Sequence, residues 1–142
     1  MPTPRETLVE SVRTWIDVPY RDKGRNRQGV DCIGLLLVAA QEVNLTAYDT
    51  LDYPRRPNPQ DFLRGMKSHL DRIPKTEAGH GDIMVFAEPR HPCHVGILDV
   101  EPNGTVYVIH AYAPVRKVIR EPLTADRRKR AMMAFRLPAE RE

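Results

Sequence analysis

The chain has 142 residues, the length of one ordinary domain around a single core. Its 41% hydrophobic and 29% charged content is that of a globular protein rather than a disordered one. A net charge of only +3 from 22 basic residues gives no pointer to nucleic acid, and no apolar run reaches the length of a membrane span.

The first residues, MPTPRETLVE, lack the apolar core of a signal peptide, so the chain is expected either to stay in the cytoplasm or to be carried out by something other than a cleaved signal. Thr3-Pro4-Arg5-Glu6 reads as a capping box with proline at the first helical position. Leu8, Val12, Trp15 and Ile16 then share one face of a helix expected to run to about Asp17 and stop before Pro19. Trp15 reads as a core anchor. Pro19-Tyr20 leads into a polar, basic loop from Arg21 to Gln28. Tyr20 is near enough in sequence to fold back over the next helix, although tyrosine beside proline also occurs in ordinary turns.

The stretch from Gly29 to Leu37, GVDCIGLLL, continues as apolar sequence to Asn44. It is too long for one strand and reads as a buried helix starting at or just before Cys32. A cysteine in the first helical turn faces unpaired N–H groups and the positive end of the dipole, which favour thiolate and can bring its pKa to neutrality or below. The alternative is a small buried apolar residue, as most free cysteines are. Thr46 to Pro59 reads as loop, and Asn58-Pro59 as the start of a short helix carrying Phe62, Leu63, Met66, His69 and Leu70. Ile73 to His80 reads as a connection.

The remainder has the pattern of strands: Ile83 to Ala87, His94 to Val100, Thr105 to Tyr112, Val115 to Arg120 and Ala131 to Leu137. Glu88 to Cys93 reads as a proline-bearing loop, and Arg127 to Arg130 as a solvated basic turn. Helices first and a meander of strands afterwards indicate a single α+β domain over residues 1–142, with the N-terminal helices packed on a C-terminal antiparallel sheet.

A nucleophilic thiol needs a base, and the base needs a partner that orients it. Hairpin geometry relates two of the histidines. A three-residue loop, Pro102-Asn103-Gly104, pairs Glu101 with Thr105, Leu98 with Val108 and Gly96 with His110. His94 and His110 are then diagonal neighbours on one face, within side-chain reach. That face also carries Leu98, Val100, Val106 and Val108, so it is expected to cover the Cys32 helix. His80 and His91 fall in loops. The rival chemistry is zinc binding by His91, Cys93, His94 and His110, but their spacing matches no common zinc motif. A Cys32–Cys93 disulfide is disfavoured in a reducing compartment.

Pro19-Tyr20, Gly29-Val30-Asp31-Cys32-Ile33-Gly34-Leu35, Gly81-Asp82-Ile83, His94-Val95-Gly96-Ile97 and Ile109-His110-Ala111 together resemble the NlpC family of cell-wall cysteine peptidases. The resemblance implies a reduced papain-like fold and hydrolysis of peptidoglycan stem peptides, typically between γ-D-glutamate and the diamino acid. It implies Cys32 as nucleophile, His94 as general base and His110 as the residue orienting it. Tyr20 would line the pocket and Asp31 would help recognise the stem peptide. No cofactor is implied. Ile33 stands where the family usually has serine, which removes a polar contact from the pocket. The form of the chain resembles members carried in phage tails and gene-transfer particles, implying tail or baseplate partners and local wall opening during DNA delivery. The rival from another class is a structural tail adaptor with an idle thiol.

Overall fold

A helix that is apolar on every side has to be surrounded. In the computed structural model, which describes residues 2–45, 64–66, 69–89 and 91–138, that helix is α2 (Cys32–Glu42), buried from Cys32 through Ala40. One neighbour is α1 (Pro4–Arg13), whose N-terminus carries the expected capping box between Thr3 and Glu6. Ser11 Oγ donates to the Ala39 carbonyl at 2.7 Å and ties the two helices together. Between them in sequence, β1 (Arg25–Asn26) and β2 (Gly29–Val30) form a small hairpin.

The other neighbour is a six-stranded antiparallel sheet. Its strands are β3 (Asp71–Ile73), β4 (Ile83–Glu88), β5 (His91–Val100), β6 (Val106–Tyr112), β7 (Lys117–Pro122) and β8 (Ala131–Arg136). They lie in the order β3-β8-β4-β5-β6-β7, with α3 (Ala125–Lys129) between β7 and β8 in sequence. The architecture is the expected α+β one. No helix among the described residues is long and apolar enough to cross a membrane.

The β5–β6 register is the one the hairpin turn dictates: Leu98 opposes Val108, Glu101 N–H donates to Thr105, and Gly104 takes φ +91. Several boundaries differ from expectation. α1 ends at Arg13, because the backbone of Asp17 and Val18 pairs with Val118 of β7 and Asp17 turns the chain at φ 75. Trp15 is still a core residue, 2% exposed. β3 stands where the sequence pattern gives no strand; its three residues carry no apolar alternation and are strand only because β8 pairs with them. β5 begins at His91, ahead of the expected His94. Pro92 is tolerated there because β5 has β4 along one side but pairs with β6 only from Ile97. β7 starts at Lys117 rather than Val115, after a 3-10 turn over Ala113–Val115. The segment 46–63, with its expected loop and helix start, lies outside the described residues.

The two faces of the sheet divide differently from the sequence reading. Cys93, Val95, Ile97, Ile109 and Ala111 face the helices in the main core. Leu98 and Val108 belong to a second, smaller cluster with Met84, Phe86 and Ala131. His94 and His110 alternate with the first set, so the face carrying them does not cover α2. The basic run is only partly the solvated turn expected: Arg128 and Lys129 are exposed, but Arg127 is not. Thr124 caps α3, and Arg127 is 6% exposed.

Candidate active site

The start of α2 is built from the loop that precedes it. Asp31 is the N-cap and accepts from Gly34 N–H at 2.7 Å. Its second oxygen accepts from Lys23 N–H at 2.8 Å, and Arg25 lies 3.5 Å from the first. The Asp31 carboxylate, expected at the stem peptide, is thus 5% exposed and turned into the protein. Tyr20 bridges in parallel to Val30, two residues before Cys32, and its ring is half-buried against the main core. It therefore flanks the helix start, as its place in sequence suggested.

The sheet opens where Cys32 arrives. The last rung of the β5–β6 ladder joins Ile97 to Ile109. The next rungs in that register, Gly96 with the expected partner His110 and then Val95 with Ala111, are not formed, while β6 keeps its pairing with β7 down to Tyr112. This is how the thiol on the helix side of the sheet meets histidines on the other. The backbone N–H groups of Val95, Ile33 and Cys32 favour the thiolate form of Cys32.

Two histidines, His91 and His94, stand at the sulfur, with His110 behind His94. His91 Nε2 is 3.8 Å from Cys32 Sγ, and a ring nitrogen of His94 lies within 4.8 Å of both. His91 was missed because it was read as loop, and because positions 91 and 94 have opposite parity in a regular strand. A register shift in the β4–β5 pairing between Phe86 and Glu88 disrupts that regularity, and the two rings meet edge to face at 5.7 Å.

Behind His94 runs a relay. His94 Nε2 is 2.6 Å from His110 Nδ1, and His110 Nε2 is 2.9 Å from Glu121 Oε2. Glu121 Oε1 meets Arg127 at 3.2 Å, and Arg127 Nε donates to Glu88 at 2.8 Å. The Tyr112 ring stacks on His110 at 4.9 Å. Glu121 is a functional candidate that sequence reading overlooked. It opposes Val108 in the β6–β7 ladder, diagonal to His110 on the same face. With β7 correctly bounded, the pairing rule that found His94 and His110 would have found it.

The relay assigns the protons. A carboxylate only accepts, so His110 Nε2–H donates to Glu121. Neutral His110 then accepts at Nδ1, so His94 Nε2–H donates to it. The remaining lone pair of His94 is on Nδ1, the nitrogen free to take a proton from Cys32. Burial, with the neighbouring His110, His91 and Arg127, holds His94 well below its ordinary 6.5. Burial also lowers His110, against the pull of Glu121, whose own pKa is lowered first by its hydrogen bond to His110.

The thiol behaves differently from the sequence expectation. Burial pushes Cys32 up to about 12, reinforced by the Asp31 charge and only partly opposed by the three N–H groups. At 2% exposure, desolvation outweighs the helix start. Burial therefore favours a neutral thiol at Cys32 and a neutral imidazole at His94.

Cys32, His91 and His94 also have their donor atoms close enough together to hold a metal ion. The zinc set considered from sequence does not assemble: Cys93 is fully buried in the main core, and both His110 nitrogens are engaged. Cys32 and Cys93 are both free thiols.

The sequence model of the NlpC/P60 family matches residues 17–136. The chain belongs to the NlpC/P60 family. The Probable endopeptidase NlpC of Escherichia coli strain K12 is 31% identical over 94 residues, which cover 65% of this chain and 54% of that protein. The match thus spans about half the length of this curated NlpC/P60 relative. Three solved structures share the NlpC/P60 fold. An NlpC/P60 family protein from Bacillus cereus ATCC 10987 has TM-score 0.68 at 23% identity, over 96% of this chain and 41% of that one. The NlpC/p60 domain of the peptidoglycan hydrolase SagA has TM-score 0.65 at 22% identity, over 94% and 98%. NlpC2 from Trichomonas vaginalis has TM-score 0.69 at 17% identity, over 96% and 48%.

Proposed function

We propose that this protein is a cysteine peptidase that hydrolyses peptidoglycan stem peptides between γ-D-glutamate and the diamino acid. We place it in a phage tail or tail-like particle, beside other tail or baseplate proteins, where it opens the wall locally during DNA delivery. The observation that carries the chemistry is the convergence of Cys32, His94 and His110 at the start of α2. Family membership and the curated endopeptidase relative support the substrate class. The tail setting follows from the sequence resemblance.

In this mechanism Cys32 Sγ attacks the amide carbonyl while His94 Nδ1 takes its proton. His110 and Glu121 stabilise the imidazolium through the Nε2–H bond. The developing oxyanion is held by N–H groups at the helix start. His94 returns the proton to the leaving amine, and the acyl-enzyme forms. Water then gives a proton to His94 as its oxygen attacks the thioester, the C–S bond breaks, and the released sulfur takes the proton back from His94. Tyr20 walls the pocket beside this point. Asp31 acts on the stem peptide through the loop it anchors.

The test is a mass-spectrometric digest of purified peptidoglycan and defined stem peptides, run beside Cys32→Ala and His94→Ala. Fragments split at the D-glutamyl–diamino acid bond, absent with both variants, are expected. Hydrolysis retained in Cys32→Ala would sink the mechanism. The rival reading, a tail adaptor with an idle thiol, draws on the burial of Cys32. A folded protein that yields no fragments, alone or in its particle, would favour it.

A further inference from the structure

Three donors converge beside α2: the Cys32 sulfur, His91 Nε2 at 3.8 Å from it, and a ring nitrogen of His94, all within 4.8 Å of one another. A tetrahedral zinc-type ion, with bonds of about 2.3 Å to sulfur and about 2.0–2.1 Å to nitrogen, spaces sulfur and nitrogen about 3.6 Å apart and two nitrogens about 3.4 Å apart. The Cys32–His91 pair already stands near that spacing. A separation of up to 4.8 Å closes by at most about 1.2–1.4 Å, within reach of side-chain rotation. Thiolate with imidazole suits borderline-soft ions, not calcium or magnesium, which take oxygen.

Two further observations fit a metal. Metal-binding histidines usually donate their other ring N–H to an outer partner that fixes the ring. His94 already does so, to His110 at 2.6 Å, with Glu121 behind it. In addition, the relay from Cys32 through His94 and His110 to Glu121 is complete without His91. The third histidine turns a two-donor pair into a chelate.

We propose that Cys32, His91 and His94 form a reversible inhibitory site for a zinc-class divalent ion, with water in the fourth position. On binding, the Cys32 thiol releases its proton to solvent. The metal then occupies the sulfur lone pair and the His94 Nδ1 lone pair, removing nucleophile and base together. The inhibition rests on the hydrolase reading above; the binding does not.

Anaerobic titration of the reduced protein with Co²⁺ tests it. One equivalent should produce a thiolate-to-cobalt charge-transfer band with tetrahedral ligand-field bands, displaced by Zn²⁺. Cys32→Ser should abolish the charge-transfer band, and His91→Ala should weaken Co²⁺ binding by at least about 100-fold, beyond the loss of an outer-shell partner. The exposed His69→Ala variant should bind as the parent does, with circular dichroism confirming that each variant folds. Absence of the band, its survival in Cys32→Ser, or undiminished affinity in His91→Ala would overturn the proposal. Peptide hydrolysis unaffected by zinc, without the band, defeats the metal site alone. A band without hydrolysis by the metal-free protein defeats the hydrolase reading alone.

Discussion

Replacing Glu121 with glutamine keeps the shape of the relay and inverts its protons. The carboxylate now accepts from His110 Nε2–H at 2.9 Å and from Arg127 at 3.2 Å. An amide has one oxygen and one NH₂, so it satisfies only one of these donors. A hydrogen bond to a charged group is worth about 1.5–3 kcal/mol and a neutral one about 0.5–1.5 kcal/mol, so the oxygen turns to Arg127. The preference is about 1.4 kcal/mol, a factor of about ten. The NH₂ then meets His110 Nε2, which must become a lone pair. His110 carries its proton on Nδ1, His94 must accept at Nε2, and His94 Nδ1–H faces the thiol with no lone pair to offer. About nine molecules in ten are then without a base, and kcat for stem-peptide hydrolysis falls about tenfold with KM unchanged. Glu121→Ala leaves His110 Nε2 to water, because the Glu121 side chain is 31% exposed, and forces no inversion. It should be milder than glutamine. Imidazole nitrogen NMR reads the tautomers directly, independent of turnover. Full activity in Glu121→Gln with unchanged tautomers would refute the relay.

Because His94 is held well below 6.5, it stays neutral and able to accept a proton in mild acid. The acid limb of kcat/KM should therefore lie below the ordinary histidine range, measured as a pH–rate profile. The same two depressed histidines make stability fall with pH: below about 6.5 the unfolded chain binds protons that folded His94 and His110 do not, until these protonate too. Urea midpoints should drop from pH 7 to pH 5. Arg127→Met should destabilise by about 3–5 kcal/mol in urea unfolding, because it leaves buried Glu88 short of its main partner, and Glu88→Leu in the same chain should restore much of the loss. Gly96→Ala should lower stability by about 1–3 kcal/mol, since a Cβ there would stand 2.4 Å from fully buried Val108 Cγ2.

Local chemistry was legible wherever it was settled within a few residues. The Thr3–Glu6 box, the apolar α2 and the turn ending at Gly104 each have near-neighbour causes. The turn fixed the β5–β6 register, and through it the His94–His110 pair. These are effects of caps, periodicity and turn geometry, all of which act along the chain.

What only tertiary structure decided was what each residue meets across the fold. The chain could not reveal which sheet face α2 would cover, because both faces of β5 and β6 are apolar. Nor could it show that β5 and β6 stop pairing at Ile97 while β6 holds to β7 down to Tyr112. His91 joined the site through irregular β4–β5 pairing, and Glu121 through a third strand. The Cys32 pKa turned on the same distinction. Position in a helix follows from sequence and favours the thiolate, but burial follows from packing, and the loss of water outweighs the dipole.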